Sequence, residues 1–328
     1  MDGHPTPKLK PPEFRDVLMA RKRIEPYLRP TPVFQSPLLD ESLGFRAHVK
    51  CENLQPTGAF KVRGGVNLMS VLAEEFGDLD VITASTGNHG QSIAYAGALF
   101  GADVAVHVPV DAEPLKVRAM ETMGARVVAR GRDYDEAREE AQRIAEREGR
   151  YFVHTSNEPH LIAGVGTSTL ELLEVVPDLD VLIIPIGGGS GACGGGLVAK
   201  TINPGIRVIG VQSEGADAVH RSWKSGTLQT TPEVRTFAGG LATRVAFELP
   251  FGMLSELLDD FVLVSDAELY EAIHFLVEMT HQVAEGAGAA STAAALRMRE
   301  ELSGLDVGLM LSGGNIGVES MFGGAKRG

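Results

Sequence analysis

Two hydrophobic periods alternate along the chain. Short apolar runs rich in β-branched residues, the pattern of buried strands, give way to segments whose apolar residues recur every three or four positions. The strand-like runs are 81–85, 104–108, 126–129, 151–154, 181–186, 207–211, 261–265 and 307–311. The helical segments cover 91–100, 115–123, 133–148, 161–175, 192–201, 266–281 and 288–302, and another stretch starts at Lys61 and runs through Val66, Leu68 and Met69. Gly101, Gly124 and Gly149 each stand where a helix needs a residue that tolerates positive φ to close its last turn. Within 133–148, Tyr134, Ala137, Ala141, Ile144 and Ala145 form one apolar stripe. The charges opposite, with Glu139 and Arg143 at i,i+4, read as a solvated face rather than a site. Strands alternating with helices of this length predict an α/β fold with two open, mostly parallel twisted sheets and helices on both faces.

The chain has 328 residues, enough for two cores rather than one. Its formal charge is −13, which argues against a nucleic-acid partner because phosphate backbones demand concentrated Lys and Arg. Two cysteines, Cys51 and Cys193, make neither a disulfide framework nor a four-ligand zinc cluster by themselves. Met1–Pro12 is polar and proline-rich and carries no secretory signal, and no apolar run is long enough for a bilayer. A cytoplasmic protein without a membrane partner is the expectation.

Ligands of parallel sheets sit at the carboxyl ends of strands, so the residues after each strand carry the candidate chemistry. After 81–85 comes Ser85-Thr86-Gly87-Asn88-His89-Gly90. Its glycines allow a sharp turn that aims helix N–H groups at one point, suited to a carboxylate or phosphate. An ordinary N-cap by Ser85 or Asn88 explains the same residues. After 181–186 comes Gly187-Gly188-Gly189-Ser190-Gly191-Ala192-Cys193-Gly194-Gly195-Gly196. Such a run costs backbone entropy and has no evident packing purpose, so it points to close approach of the backbone to phosphate oxygens. The spacing Gly189-x-Gly191-x-x-Gly194 also fits a dinucleotide fingerprint, with Glu214 about twenty residues on where a ribose-binding acid belongs, so an NAD-dependent dehydrogenase stays open here. After 307–311 comes Ser312-Gly313-Gly314-Asn315, a turn whose hydroxyl could meet a ring nitrogen. Finally Pro56–Gly58 forms a turn before Phe60 and Lys61. A lysine at a helix start stands against the macrodipole, which makes its amine a better nucleophile, although spacing alone reads it as a solvated surface lysine.

Taken in order, these segments resemble the fold-type II family of pyridoxal 5′-phosphate (PLP) enzymes, in the branch of threonine/serine dehydratases and serine racemases. The residues that carry the resemblance are 50–64, 85–91, Pro185–Gly189, Ala238–Ala242, Glu285–Gly288 and Leu311–Asn315. The resemblance runs from about Arg23 to Asn315. It implies that Lys61 holds PLP as an imine and takes the substrate's α-proton. Phe60 would pack beside the ring, Asn88 would bond the ring hydroxyl, and Gly187, Gly188, Gly189, Ser190 and Gly191 would cradle the phosphate. Ser312 would meet the pyridine nitrogen, Glu285 and Gly240 would line the ring edge, and Ser85, Thr86, Gly87 and His89 would receive the substrate carboxylate. It further implies a small domain at 53–153, a large PLP-binding domain from 1–52 plus 154–328, and a homodimer or homotetramer.

Four departures bear on function. Ser190 replaces a glycine found in many dehydratases and can still donate to phosphate. Thr86 stands where serine racemases carry the serine that reprotonates the opposite face, which keeps weak racemisation open. Gln212 and Ala218 stand where relatives with a divalent-cation site carry acids, so no strong metal site is expected despite Glu214 and Asp217 nearby. The chain runs about a dozen residues past Asn315, so inhibition through the regulatory domain of feedback-inhibited dehydratases is not expected. The reaction implied is β-elimination of water from L-threonine or L-serine, giving 2-oxobutanoate or pyruvate plus ammonia. The 3-hydroxyaspartate, phenylserine and hydroxyectoine-pathway ammonia-lyases and serine racemase are the near alternatives. Ser312 at the ring nitrogen, in place of an aspartate, would favour elimination over transamination.

Overall fold

The computed structural model describes residues 10–85 and 87–322; Thr86 lies outside the described residues. The described strands are β1 (Val33–Phe34), β2 (Arg46–Cys51), β3 (Asp80–Ala84), β4 (Asp103–Val108), β5 (Arg126–Ala129), β6 (Tyr151–Val153), β7 (Val181–Pro185), β8 (Arg207–Ser213), β9 (Asp260–Val264) and β10 (Asp306–Leu311). The chain divides into two compact units, one from residues up to Leu28 with Lys61–Val165, the other from Arg29–Phe60 with residues from Gly166 onward.

The first unit holds a four-stranded sheet in the order β5-β4-β3-β6, parallel throughout. Side chains alternate across it as a strand period demands. Val81, Val104 and Val106 bury into a core with helix Lys61–Phe76 and helix Asn88–Phe100, while Ile82, Ala84 and Ala105 face Ala137, Ala141 and Ala145 of helix Tyr134–Glu148. That helix starts at Asp133, whose carboxylate accepts from Glu136 N, and closes at Gly149 in the left-handed region. The expected Glu139–Arg143 pair does not form. Arg143 turns to Glu140 at 2.5 Å, and Glu139 lies 3.7 Å from Arg138, both exposed contacts of little energetic weight.

The second unit holds a six-stranded sheet, β1-β2-β10-β7-β8-β9, parallel except that β1 runs antiparallel to β2. Its core packs Val49, Ile183, Ile209, Leu309 and Leu311 against the small-residue helix Gly286–Arg297 and helix Asp266–Thr280. β2 carries a buried ion cluster. Lys50 Nζ bonds Glu171 Oε2 at 2.6 Å and the Thr31 carbonyl at 2.7 Å, and lies 4.0 Å from Glu52, which accepts from Thr31 Oγ1 at 2.6 Å.

The unit boundaries differ from the expected 53–153 and 1–52 plus 154–328. Helix Phe14–Ile24 buries Val17, Ala20 and Ile24, and Ile24 and Leu28 join the first unit's core, so the segment before Arg29 goes with the four-stranded sheet. Residues 53–60 go the other way: Phe60 N bonds Ser312 O at 3.0 Å and Gly314 N bonds Gly58 O at 2.9 Å.

Candidate active site

In the second unit a chain of close contacts gathers the expected cofactor residues. Phe60 is tied through its N–H to Ser312 O. Glu285 N donates to Gly313 O at 3.0 Å, and a Cβ built on Gly313 would stand 2.6 Å from Glu285 Oε1. A Cβ on Gly240 would meet Ala287 Cβ at 2.7 Å, with Glu285 Oε1 at 3.9 Å. A Cβ on Gly187 would collide with the Gly240 carbonyl, and one on Gly191 would press the Phe60 ring at 3.0 Å, which closes the circuit. Phe60, Gly187, Gly191, Gly240, Glu285 and Ser312 are therefore neighbours in this fold.

The glycine run is read in two halves. Gly189 takes φ +98° and caps helix Ser190–Ile202, whose first N–H groups have no acceptor within the helix. Gly187, Gly188, Gly189, Ser190 and Gly191 thus offer peptide donors at a positive helix end. The later glycines correct the expectation that the run has no packing purpose. A Cβ on Gly195 would meet Ile184 Cδ1 at 2.6 Å and Thr169 Oγ1 at 2.8 Å, and one on Gly196 would meet Leu257 Cβ at 3.1 Å. They let the helix lie close to its neighbours.

The first unit gathers a second set. Lys61 is the first residue of helix Lys61–Phe76, where its spacing put it. Its Nζ donates to Thr155 O at 3.5 Å, and its carbonyl accepts from Ser92 Oγ at 2.6 Å. Gly87 N donates to Ser85 Oγ at 3.0 Å, and Asn88 and His89 open helix Asn88–Phe100. The N-cap position is Gly87, not Ser85 or Asn88. Lys116 lies against Gly87, with its Cδ 2.8 Å from where a Cβ would be. Burial, then the Lys61 and His154 charges, hold His89 well below the usual imidazole range. Burial, then Arg138 and Lys61, push His154 down to about 3.

Three residues of this set escaped the sequence reading. Thr83 accepts or donates toward His89 Nε2 at 2.9 Å, His154 Nδ1 accepts from Ser156 N and Asn157 N, and Thr155 meets both Lys61 and Tyr134. The polar stretch His154–Asn157 after β6 was the available signal.

The residues fit the cofactor that the resemblance implies. A phosphate needs N–H donors and bare backbone, which the Gly187–Gly191 turn has. A flat ring needs an apolar wall and a neutral partner for its nitrogen, which Phe60 and the Ser312 hydroxyl can be. Ser312 Oγ lies 3.3 Å from Ala287 O and is buried.

Comparison with known proteins agrees. Residues 24–313 match the family model of pyridoxal-phosphate dependent enzymes. The chain is 38% identical over 305 residues to an L-threonine ammonia-lyase of Thermotoga maritima, covering 93% of this chain and 76% of that one. It is 39% identical over 306 residues to an L-threo-3-hydroxyaspartate ammonia-lyase of Saccharomyces cerevisiae, covering 93% and 94%. Its fold superposes on maize serine racemase with a TM-score of 0.88 at 32% identity, covering 96% and 97%. The dinucleotide reading of Gly189–Gly194 falls with this, because the glycines belong to a PLP fold. The chain belongs to the fold-type II pyridoxal-phosphate dependent enzymes, in the branch of ammonia-lyases and serine racemases, and its cofactor is pyridoxal 5′-phosphate.

Proposed function

We propose that this enzyme removes water from L-threonine or L-serine, with net release of 2-oxobutanoate or pyruvate and ammonia. One observation carries the reading. Phe60, which touches both the glycine turn and the Ser312 strand end, is followed directly in the chain by Lys61, the order in which the resemblance sets ring wall and reactive amine.

Bound PLP supplies an electron sink that makes the α-proton of an amino acid removable. The chain's own residues do the rest. Peptide N–H groups of Gly187–Gly191 hold the phosphate, Phe60 packs against the ring, and Gly240 and Glu285 bound its edge. Asn88 bonds the ring hydroxyl. Ser312 would meet the ring nitrogen as a neutral hydroxyl rather than an aspartate, which would favour elimination over transamination. The Ser85 hydroxyl, whose oxygen accepts from Gly87 N, and the N–H groups that open the helix at Asn88 and His89 receive the substrate carboxylate. Lys61 Nζ takes the α-proton. His89 and His154 stay neutral beside it and do not compete as acids. Loss of the β-hydroxyl with a proton gives an enamine, which takes up water to release ammonia and the 2-oxo acid, so atoms balance.

The test is a panel of both configurations of serine, threonine, 3-hydroxyaspartate and phenylserine, read as 2-oxo acid and D-amino acid formed. The reading expects fastest oxo-acid release from L-threonine or L-serine. Faster turnover of 3-hydroxyaspartate makes the enzyme the neighbouring lyase, and D-serine formation outrunning pyruvate makes it a racemase.

A further inference from the structure

Thr83, fully buried on β3, has one hydroxyl proton. Its oxygen lies 2.7 Å from the Val153 carbonyl, an atom that only accepts, so the proton is committed there. Toward His89 Nε2, at 2.9 Å, Thr83 Oγ1 is left to accept. His89 Nε2 therefore carries the hydrogen and Nδ1 a lone pair. Among the described residues that nitrogen is buried without a hydrogen-bond partner, an arrangement proteins rarely keep without a use.

The ring's surroundings indicate what fills it. His89 stands one turn before Ser92 on helix Asn88–Phe100, at i,i+3 and so on the same face. Ser92 Oγ holds the Lys61 carbonyl at 2.6 Å. The Lys61 amine bonds Thr155 O, two residues beyond the Val153 carbonyl from which Thr83 and His89 hang. Imidazole and amine are thus anchored to the same helix face and the same end of β6.

We propose that Thr83 fixes His89 as its Nε2–H form, and that the buried Nδ1 lone pair accepts a hydrogen from the Lys61 amine and orients it toward the substrate's α-carbon. This rests on Lys61 being the reaction's base. Thr83 is a positioning residue that acts through His89. The opposite tautomer would present a donor to the amine and turn it away. A neutral ring that resists protonation keeps the lone pair available while Lys61 gains and loses its proton.

The experiment uses the holoenzyme with ¹⁵N-labelled histidine, in wild type, Thr83→Val and Thr83→Ser. Valine keeps the shape and β-branching but neither accepts nor donates. The expected wild-type His89 spectrum has a bare Nδ1 and a protonated Nε2, unchanged in T83S. In T83V the two forms mix, and kcat falls about tenfold with KM within about twofold, the mark of a misplaced reacting group; T83S recovers most of the loss. A protonated Nδ1 in the wild type overturns the proposal, whatever the variants do. So does a T83V enzyme with mixed tautomers and undiminished kcat. Borohydride trapping and peptide mass on the same preparations separate this from the reading beneath it. A cofactor adduct absent from Lys61 in active wild type overturns the role of Lys61 itself, whereas an adduct at Lys61 with undisturbed T83V overturns only the role of Thr83 and His89.

Discussion

The turns after β3 and β7 both lead from a parallel strand into a helix, yet they are held by different kinds of contact. The turn after β7 is walled by groups that cannot swing aside: Gly187 faces the Gly240 carbonyl, and Gly189, at φ +98°, lies against the Pro250 ring. The turn after β3 is held by side chains. Ser85 Oγ takes Gly87 N, Lys116 lies over Gly87, and the backbone at Gly87 is extended at φ 173°. A cofactor that stays needs a rigid seat, and a substrate that comes and goes needs donors that side chains can adjust. The difference matches the proposed division of labour.

The comparison can be broken from several sides. The largest effect is expected from Lys61→Ala, which removes the reactive amine and should lower lyase turnover by about 10³-fold or more; steady-state rates and loss of the borohydride-trapped adduct check it. Next is Lys50→Met in the second unit. It strands the Glu171 and Glu52 carboxylates in a dry interior and should cost about 3–5 kcal/mol, read from the denaturant midpoint. Third is the pair that contrasts the turns directly. Gly187→Ala forces a methyl into a carbonyl and should cost about 1–3 kcal/mol together with cofactor retention. Gly87→Ala meets only the Lys116 stem, which can swing aside, and should cost less than about 1 kcal/mol while raising KM. Equal losses at the two glycines would erase the distinction drawn here.

The smallest effect concerns pH. The Arg46 guanidinium bonded to Asp306, with His48 beside it, holds that carboxyl down at about 2. The unfolded carboxyl binds its proton more readily, so this stabilisation is present above about pH 4 and is lost as pH falls toward about 2. Arg46 is half exposed, so solvent screening leaves only a small effect. Asp306→Asn should therefore be less stable than wild type near neutrality, with the gap closing in acid.

The alternating apolar runs made most of both sheets legible, because β-branched residues in a parallel core leave few other readings. β2 was not legible. Its RAHVKC sequence places His48 and Lys50 in the sheet, and their partners, Asp306 and Glu171, lie 258 and 121 residues away. Helix Phe14–Ile24 escaped notice for a like reason: its three buried positions are separated by charges, and only the tertiary core gives them a face. The site followed the same rule. Phe60, Lys61, Gly187 and Ser312, the residues proposed for it, stood out in the sequence because each follows a turn or strand end. Thr83 was hidden inside an ordinary buried strand, and its meaning depends on one hydroxyl hydrogen that no spacing records.

The pairing of β2 with β10 has a consequence for how the molecule is made. Arg46 and Asp306, at the start of these adjacent parallel strands, are 260 residues apart in the chain. All strands of the four-stranded sheet emerge from the ribosome before β10 is translated, and that unit can condense while β2 still waits. The exposed backbone edge of β2 is then a hazard for pairing with other nascent chains throughout most of synthesis. Its charged residues and brief length hold that hazard in check until the final strand arrives.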